Sequence, residues 1–187
     1  NESIFYPINI EKKYDLISIG TISKRKGQLR LIRAAKKLNT LIRIALPGVC
    51  RDDGYKEKCI NLAKKSKLEL YFPGLVSRTQ LNLLISQSRL HVLASRNEQA
   101  PRSVIEASCC GIPSVITHRI GGGKNYINKK TGLISHEYLL SRSIKKALES
   151  DYDSVRESYL ELFGVEMASK KVIDAFKKKG WIMAAGE

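Results

Sequence analysis

Two carboxylates stand eight positions apart in residues 94–107: Glu98 and Glu106. The apolar run before Glu98 reads as a buried strand, and Pro101 suits the first turn of the helix that follows. Helical side chains lean toward their own amino end, so Glu106 can reach back to the rim where Glu98 sits. Between the two, the amides of Arg102, Ser103 and Val104 are expected to point unpaired out of the helix start, with Ala100 and Pro101 completing the loop. Carboxylates accept from hydroxyls, and such charge-assisted bonds contribute roughly 1.5–3 kcal/mol each. A second stretch, residues 20–27, reads Gly20-Thr21-Ile22-Ser23-Lys24-Arg25-Lys26-Gly27. Three consecutive cations beside a helix start make an anion site. Together the stretches suit a ligand with hydroxyls at both ends and phosphates between them, which describes a sugar nucleotide. The plainer alternatives are a solvated basic loop and an i,i+4 ion pair of Arg102 with Glu106. The basic loop contains neither a Walker A sequence nor G-x-G-x-x-G.

The elements that must position these residues alternate. Strands are predicted at 15–22, 41–46, 68–72, 90–94 and 114–117, with a last short one at 133–134. Helices are predicted at 27–38, 53–65, 77–87 with a Ser77 N-cap, 101–110, 137–149 and 165–179. Alternation at these lengths means βαβ units and an α/β, doubly wound parallel sheet of Rossmann-like type. Ligands of such sheets bind beyond the carboxyl ends of the strands, which selects loops 20–27, 47–54, 73–78, 94–103 and 117–125. The expected division is an interdomain linker at 1–14, a nucleotide-sugar-binding domain at 15–160, and an amphipathic basic helix and tail at 161–187. In that helix Val165, Ala168, Val172, Ile173 and Phe176 share one face.

The chain of 187 residues is 43% hydrophobic and 27% charged, the balance of a globular domain that buries a core. Its net charge of +15 calls for an anionic partner. Lys170, Lys171 and Lys177–Lys179 extend this to peripheral contact with an acidic membrane surface. Nucleic acid is not expected, because one Trp and four Phe give no aromatic interleaving for stacking. Cys50, Cys59, Cys109 and Cys110 form no C-x-x-C pair and read as reduced thiols. There is no D-x-D, so a metal is not expected. With neither a spanning apolar run nor a leader-like start, a cytoplasmic protein is expected, at most peripheral at the inner membrane face. The lack of an initial Met suggests a piece of a longer chain.

Glu98 and Glu106 resemble the E-x7-E motif of glycosyltransferase family 4, the retaining transferases with two Rossmann domains (the GT-B fold). Ser95, Pro101, Ala107, Cys110, Gly111, Pro113 and Val115 fall in step with that motif's surroundings. Gly20 with Lys26-Gly27 is similar to the family's G-R-x-x-x-x-K-G. Leu46-Pro47-Gly48, Phe72-Pro73-Gly74 with Val76, Gly121-Gly122 and Thr131-Gly132-Leu133 are similar to its later landmarks. The resemblance covers about residues 1–150. It implies the donor-binding half of an enzyme that moves a sugar from a nucleotide sugar to an acceptor glycan or lipid with retention. It implies that Lys26 meets the donor diphosphate, Glu98 the transferred sugar, Glu106 the ribose, and backbone around Leu75 and Val76 the base. Glu98 and Lys26 would be its catalytic residues, and Glu98→Gln would leave diphosphate affinity nearly intact. Thr21 stands where the family has a second phosphate-binding Arg, a role left for Arg25 or Lys24. Gln99-Ala100 replaces Gly-Phe. These departures keep a non-catalytic, regulatory donor-binding module as the alternative. The acceptor-binding domain is absent, so this chain by itself is expected to bind donor and transfer little.

Overall fold

Short apolar runs closed by Gly or Pro build the centre of the protein. The computed structural model describes residues 2–178. Its strands are β1 (Tyr14–Ile17), β2 (Ile42–Ala45), β3 (Leu68–Tyr71), β4 (Ser88–Leu93), β5 (Ser114–Thr117) and β6 (Gly132–Ser135). They form one parallel sheet in the order β3-β2-β1-β4-β5-β6. Helices α1 (Gln28–Lys36), α2 (Asp53–Lys64) and α5 (Leu140–Glu149) cover one face. Helices α3 (Arg78–Ser86), α4 (Arg102–Cys109) and α6 (Val155–Phe163) cover the other. The two-residue period of a strand explains how one sheet serves both cores. In β1, Leu16 packs under α1 and α2, while its neighbour Ile17 packs under α3 and α4, and both are fully buried.

After β3 the chain crosses back and lays β4 along the other side of β1, pairing Leu16 with Leu90 and Ile17 with His91. The strand order reverses there, and the loops leaving β1 and β4 diverge to open a crevice.

Several boundaries differ from the sequence pattern, each for a local reason. β1 ends at Ile17 rather than 22 because Gly20, at φ +133°, turns the chain away. The backbone still pairs loosely beyond that point, with Ile22 N–H donating to Val49 O at 2.8 Å. Predicted helix 137–149 divides into a 3₁₀ turn at Glu137–Leu139 followed by α5. Pro101 is the N-cap of α4, which starts at Arg102. Ser77 caps α3 as expected, and Gln80 completes a capping box.

Helix α6 was not anticipated. Its buried Tyr159 packs in a core that includes Phe5, only 3% exposed, from the amino-terminal segment. Arg156 fastens that contact by donating to Phe5 O at 3.1 Å and to Cys109 O. Helix α7 (Val165–Lys178) follows, with Val165, Val172 and Ile173 exposed; Lys179 lies outside the described residues. Among the described residues, no helix is long and apolar enough to cross a membrane.

Candidate functional site

The turn after β1 places the first cation. Gly20 has a conformation that side chains rarely adopt, and a Cβ there would lie 3.1 Å from Lys26 Cε. The Lys26 side chain therefore lies across a bare backbone. Gly27 caps α1 in the left-handed region, where a Cβ would stand 2.2 Å from Ala94 O. That contact presses the basic loop onto the exit of β4. Lys26 Nζ then meets Glu98 Oε1 at 2.6 Å, and Arg25 NH1 meets the same oxygen at 2.9 Å. Ser95 Oγ donates to it as well, at 3.2 Å. Beneath them His91 is buried and held to Ser114 Oγ at 3.0 Å. Burial, with the Lys26 charge above, pulls its pKa down to about 3. The ring is neutral and adds no cation of its own.

Glu106 is built differently. It faces the same cleft from α4, and among the described residues its carboxylate takes no hydrogen bond and no ion pair. Burial raises its pKa above the ordinary carboxylate value, opposed by the charges of Arg102, Arg78 and Lys26. The alternative, an Arg102–Glu106 ion pair, does not form. Arg102 acts on the carboxylate only through its field.

The cleft between these groups has a volume of about 570 Å³. Of the residues picked from sequence, Gly20, Arg25, Lys26, Leu75, Glu98, Ala100, Pro101, Arg102, Ser103 and Glu106 line it. Three do not. Thr21 is not part of the cleft wall, and its carbonyl accepts from Gln28 Nε2 at 3.1 Å. Val76 packs against the α3–α4 core, and Val104 is fully buried. The row of unpaired amides at the start of α4 is also corrected. Arg102 N–H donates to Ala100 O at 2.9 Å and Val104 N–H to Pro101 O at 3.0 Å, leaving only that of Ser103. The tight turn at Pro101 uses those donors locally. Arg25 lines the cleft, whereas Lys24 does not. Gln99 is exposed and stays off the cleft wall. Sequence reasoning missed Phe5, Ile19, Arg78 and Leu81. Arg78 had a signal, standing just after the Ser77 cap beside a loop already selected, whereas Phe5 reaches the cleft only through tertiary packing.

This geometry can hold an anion at Lys26 and Arg25 and hydroxyls at two carboxylates. Among the described residues no group of three His, Cys, Asp or Glu side chains gathers in the way a metal ion would need. Residues 1–160 match the family model for glycosyl transferases group 1. The chain belongs to that family. This group 1 chain is 29% identical over 109 residues to alpha-galactosylglucosyldiacylglycerol synthase of Streptococcus pneumoniae, covering 57% of this chain and 29% of that protein. Its fold is that of sucrose-phosphate synthase from Thermosynechococcus elongatus, with a TM-score of 0.73 at 22% identity over 96% of this chain and 51% of that one. It is also that of Anabaena Alr3699/HepE, solved in complex with UDP and glucose, with a TM-score of 0.70 at 19% identity over 86% and 48% of the two chains. The group 1 chain thus spans under a third of its curated relative and about half of each solved structure. Its six-stranded sheet with helices on both faces is the Rossmann-like half of a GT-B architecture.

Proposed function

We propose that this chain is the donor-binding half of a retaining, family 4-type glycosyltransferase that takes its sugar from a nucleoside diphosphate (NDP) sugar. One observation carries the reading: Lys26 and Arg25 converge on Glu98 at the strand-order reversal, across a cleft from the unpartnered carboxylate of Glu106. The diphosphate takes the place of Glu98 at the two cations, with Ser103 N–H as a further donor. Glu98, once released, accepts from hydroxyls of the transferred hexose. Glu106 accepts from the ribose, and backbone around Leu75, 82% exposed, meets the base. The negative charge that develops on the departing diphosphate is met by Lys26 and Arg25 rather than by a metal. The solved relative with UDP and glucose supports a UDP-sugar among the candidate donors.

In this reading residues 1–14 lead from a preceding acceptor-binding domain, 15–160 bind the donor, and the part from 161 onward carries the basic helix α7. The acceptor is a glycan or lipid, and the enzyme is cytoplasmic. The test is calorimetric titration of the chain with UDP, GDP and ADP, followed by crystals of the tightest complex. The expected result is one nucleotide bound with its diphosphate at Lys26 and Arg25. A nucleotide bound elsewhere, with this cleft closed, overturns the reading.

A further inference from the structure

The loop that carries Glu98 is exposed at Arg96, Asn97, Gln99 and Ala100. On one side it rests on the basic turn, with Arg96 N–H donating to Arg25 O at 3.2 Å. On the other it rests on the exit of the neighbouring strand, β5. Thr117, the last residue of β5 and fully buried, donates from Oγ1 to Ser95 O at 2.8 Å. A few residues later the chain winds into a 3₁₀ turn, Gly122–Tyr126, whose first residue meets the far end of the same loop. A Cβ at Gly122 would collide with the carbonyl oxygen of Gln99 and lie 2.8 Å from its carbonyl carbon. Ser95 and Gln99 flank Glu98, so the exit of β5 holds the loop both before and after its carboxylate.

The Gly122 contact is a matter of space and not of backbone conformation. Gly122 is not among the glycines with positive φ, so alanine would fit its backbone. Its neighbour Gly121 has an ordinary helical φ of −54° and open space around it. Two adjacent glycines therefore differ in one respect, the contact with Gln99. A methyl group added at 122 forces one partner to move. The turn is the firmer of the two. Gly123 is buried against Ile116 and Ile120, and Thr131 Oγ1 donates to Tyr126 O at 3.0 Å. The Tyr126 ring lies 4.9 Å from that of Phe163 and 6.4 Å from that of Tyr159, both on α6. The exposed loop gives way instead, and it takes with it Glu98 and Ala100, which line the cleft. A carboxylate oxygen held at 2.6 Å from Lys26 and 2.9 Å from Arg25 leaves little room for such a shift.

We propose that Gly122 is a positioning residue for the sugar end of the donor cleft, its turn bearing on the Gln99 carbonyl and so fixing where Glu98 meets the transferred sugar. The proposal rests on the donor reading for its ligand, but not for its geometry. Gly122 itself is not part of the cleft wall, and it acts only through the loop. Helix α6 enters the same chain of support, because its two rings hold Tyr126 at the other end of the turn. The diphosphate end, built from Lys26, Arg25 and Glu106, receives no such support from Gly122.

The 187-residue chain, ¹⁵N-labelled, is compared with Gly122→Ala and Gly121→Ala. Without ligand, Gly122→Ala is expected to move the amide signals of Gln99 and Ala100 and, across the ion pair, those of Arg25 and Lys26. Gly121→Ala is expected to leave all four in place. Calorimetry with UDP and UDP-glucose, and with GDP and GDP-mannose, then reads the cleft. In Gly122→Ala the ratio of the sugar nucleotide's Kd to that of its diphosphate is expected to rise at least about tenfold, the loss of one charge-assisted contact from Glu98. Diphosphate affinity itself is expected not to fall. Tyr126→Leu removes a ring from the support of the turn without touching the loop or the cleft, and is expected to raise the same ratio by less. It decides the matter if Gly122→Ala does not fold, an unchanged ratio then counting against the proposal. Amide shifts confined to 121–124, an unchanged ratio in a folded Gly122→Ala, equal losses for diphosphate and sugar nucleotide, or the same response in Gly121→Ala each overturn it. If the parent chain binds no nucleotide, the donor reading is what fails, and the ligand-free amides alone decide whether Gly122 sets Glu98.

Discussion

Glu98 and Glu106 are the same residue type on the same cleft, yet their surroundings are opposite. Glu98 leaves the end of β4 in a loop pressed against the basic turn, and one of its oxygens collects Lys26, Arg25 and Ser95. Glu106 stands on α4 with no partner, and burial makes its charged form costly. The first carboxylate is satisfied before a ligand arrives, and a diphosphate must compete with it for the same cations. The second has no protein partner and is open to a ligand hydroxyl from the cleft. Equal spacing in sequence from a shared loop did not produce equal chemistry, because a strand exit and a helix face meet different neighbours.

That contrast can be tested by removing its members in turn. The largest effect is expected from Lys26→Ala. One charge-assisted bond at roughly 1.5–3 kcal/mol corresponds to a loss of about 10- to 100-fold in NDP affinity, with nucleoside affinity little changed. Calorimetry with both ligands checks this, and equal losses would mean that Lys26 acts through folding.

Glu106→Gln comes next, weakening NDP about tenfold by removing the charged acceptor. It should also stabilise the protein. A carboxyl whose native pKa is raised binds protons more readily when folded, so stability falls as pH rises from about 4.5, its ordinary value, through the raised one. The cost is fully present at pH 7, and Gln abolishes it. The variant's melting temperature should exceed that of the parent at pH 7, with the gap closing as pH falls toward 4.5. A gap that does not vary with pH would contradict this assignment.

Glu98→Gln should act in the other direction. It frees Lys26 and Arg25 from an internal anion, so NDP affinity should rise, by roughly 2- to 5-fold, the scale of a net ion pair of up to about 1 kcal/mol. Sequence alone suggested no change, so a titration showing unchanged affinity would restore that simpler expectation. The smallest effect belongs to Arg102→Gln, which should alter thermal stability by less than about 0.5 kcal/mol, since its side chain makes no pair with Glu106. A larger loss in a denaturation curve would revive the ion-pair account.

Much of the framework was readable because it depends on local pattern. The strands are apolar runs with Gly or Pro at their ends, and Ser77 announces α3 by its own capping chemistry. Glu98 and the Lys26 turn were readable because the strand rule identifies which loops meet. What escaped depends on distant partners. Thr21 lies outside the cleft wall with its carbonyl bonded to Gln28, and nothing in the local sequence says so. The amides of α4 are consumed by a turn whose geometry is decided at Pro101. Helix α6 makes sense only beside Phe5, about 150 positions away, and Arg156 bonds backbone oxygens whose positions no side-chain pattern encodes.

The fastening of the amino-terminal segment has a mechanical consequence. Tyr6 N–H donates to Asn82 Oδ1 at 3.1 Å and Ile8 N–H to Ser86 Oγ at 3.3 Å, while Arg156 holds Phe5 O and Cys109 O together. Tension on this segment is therefore delivered to α3, α4 and α6 rather than to the sheet. Because Phe5 is itself part of the cleft wall, a shortened chain starting after Pro7 would lack a piece of that wall.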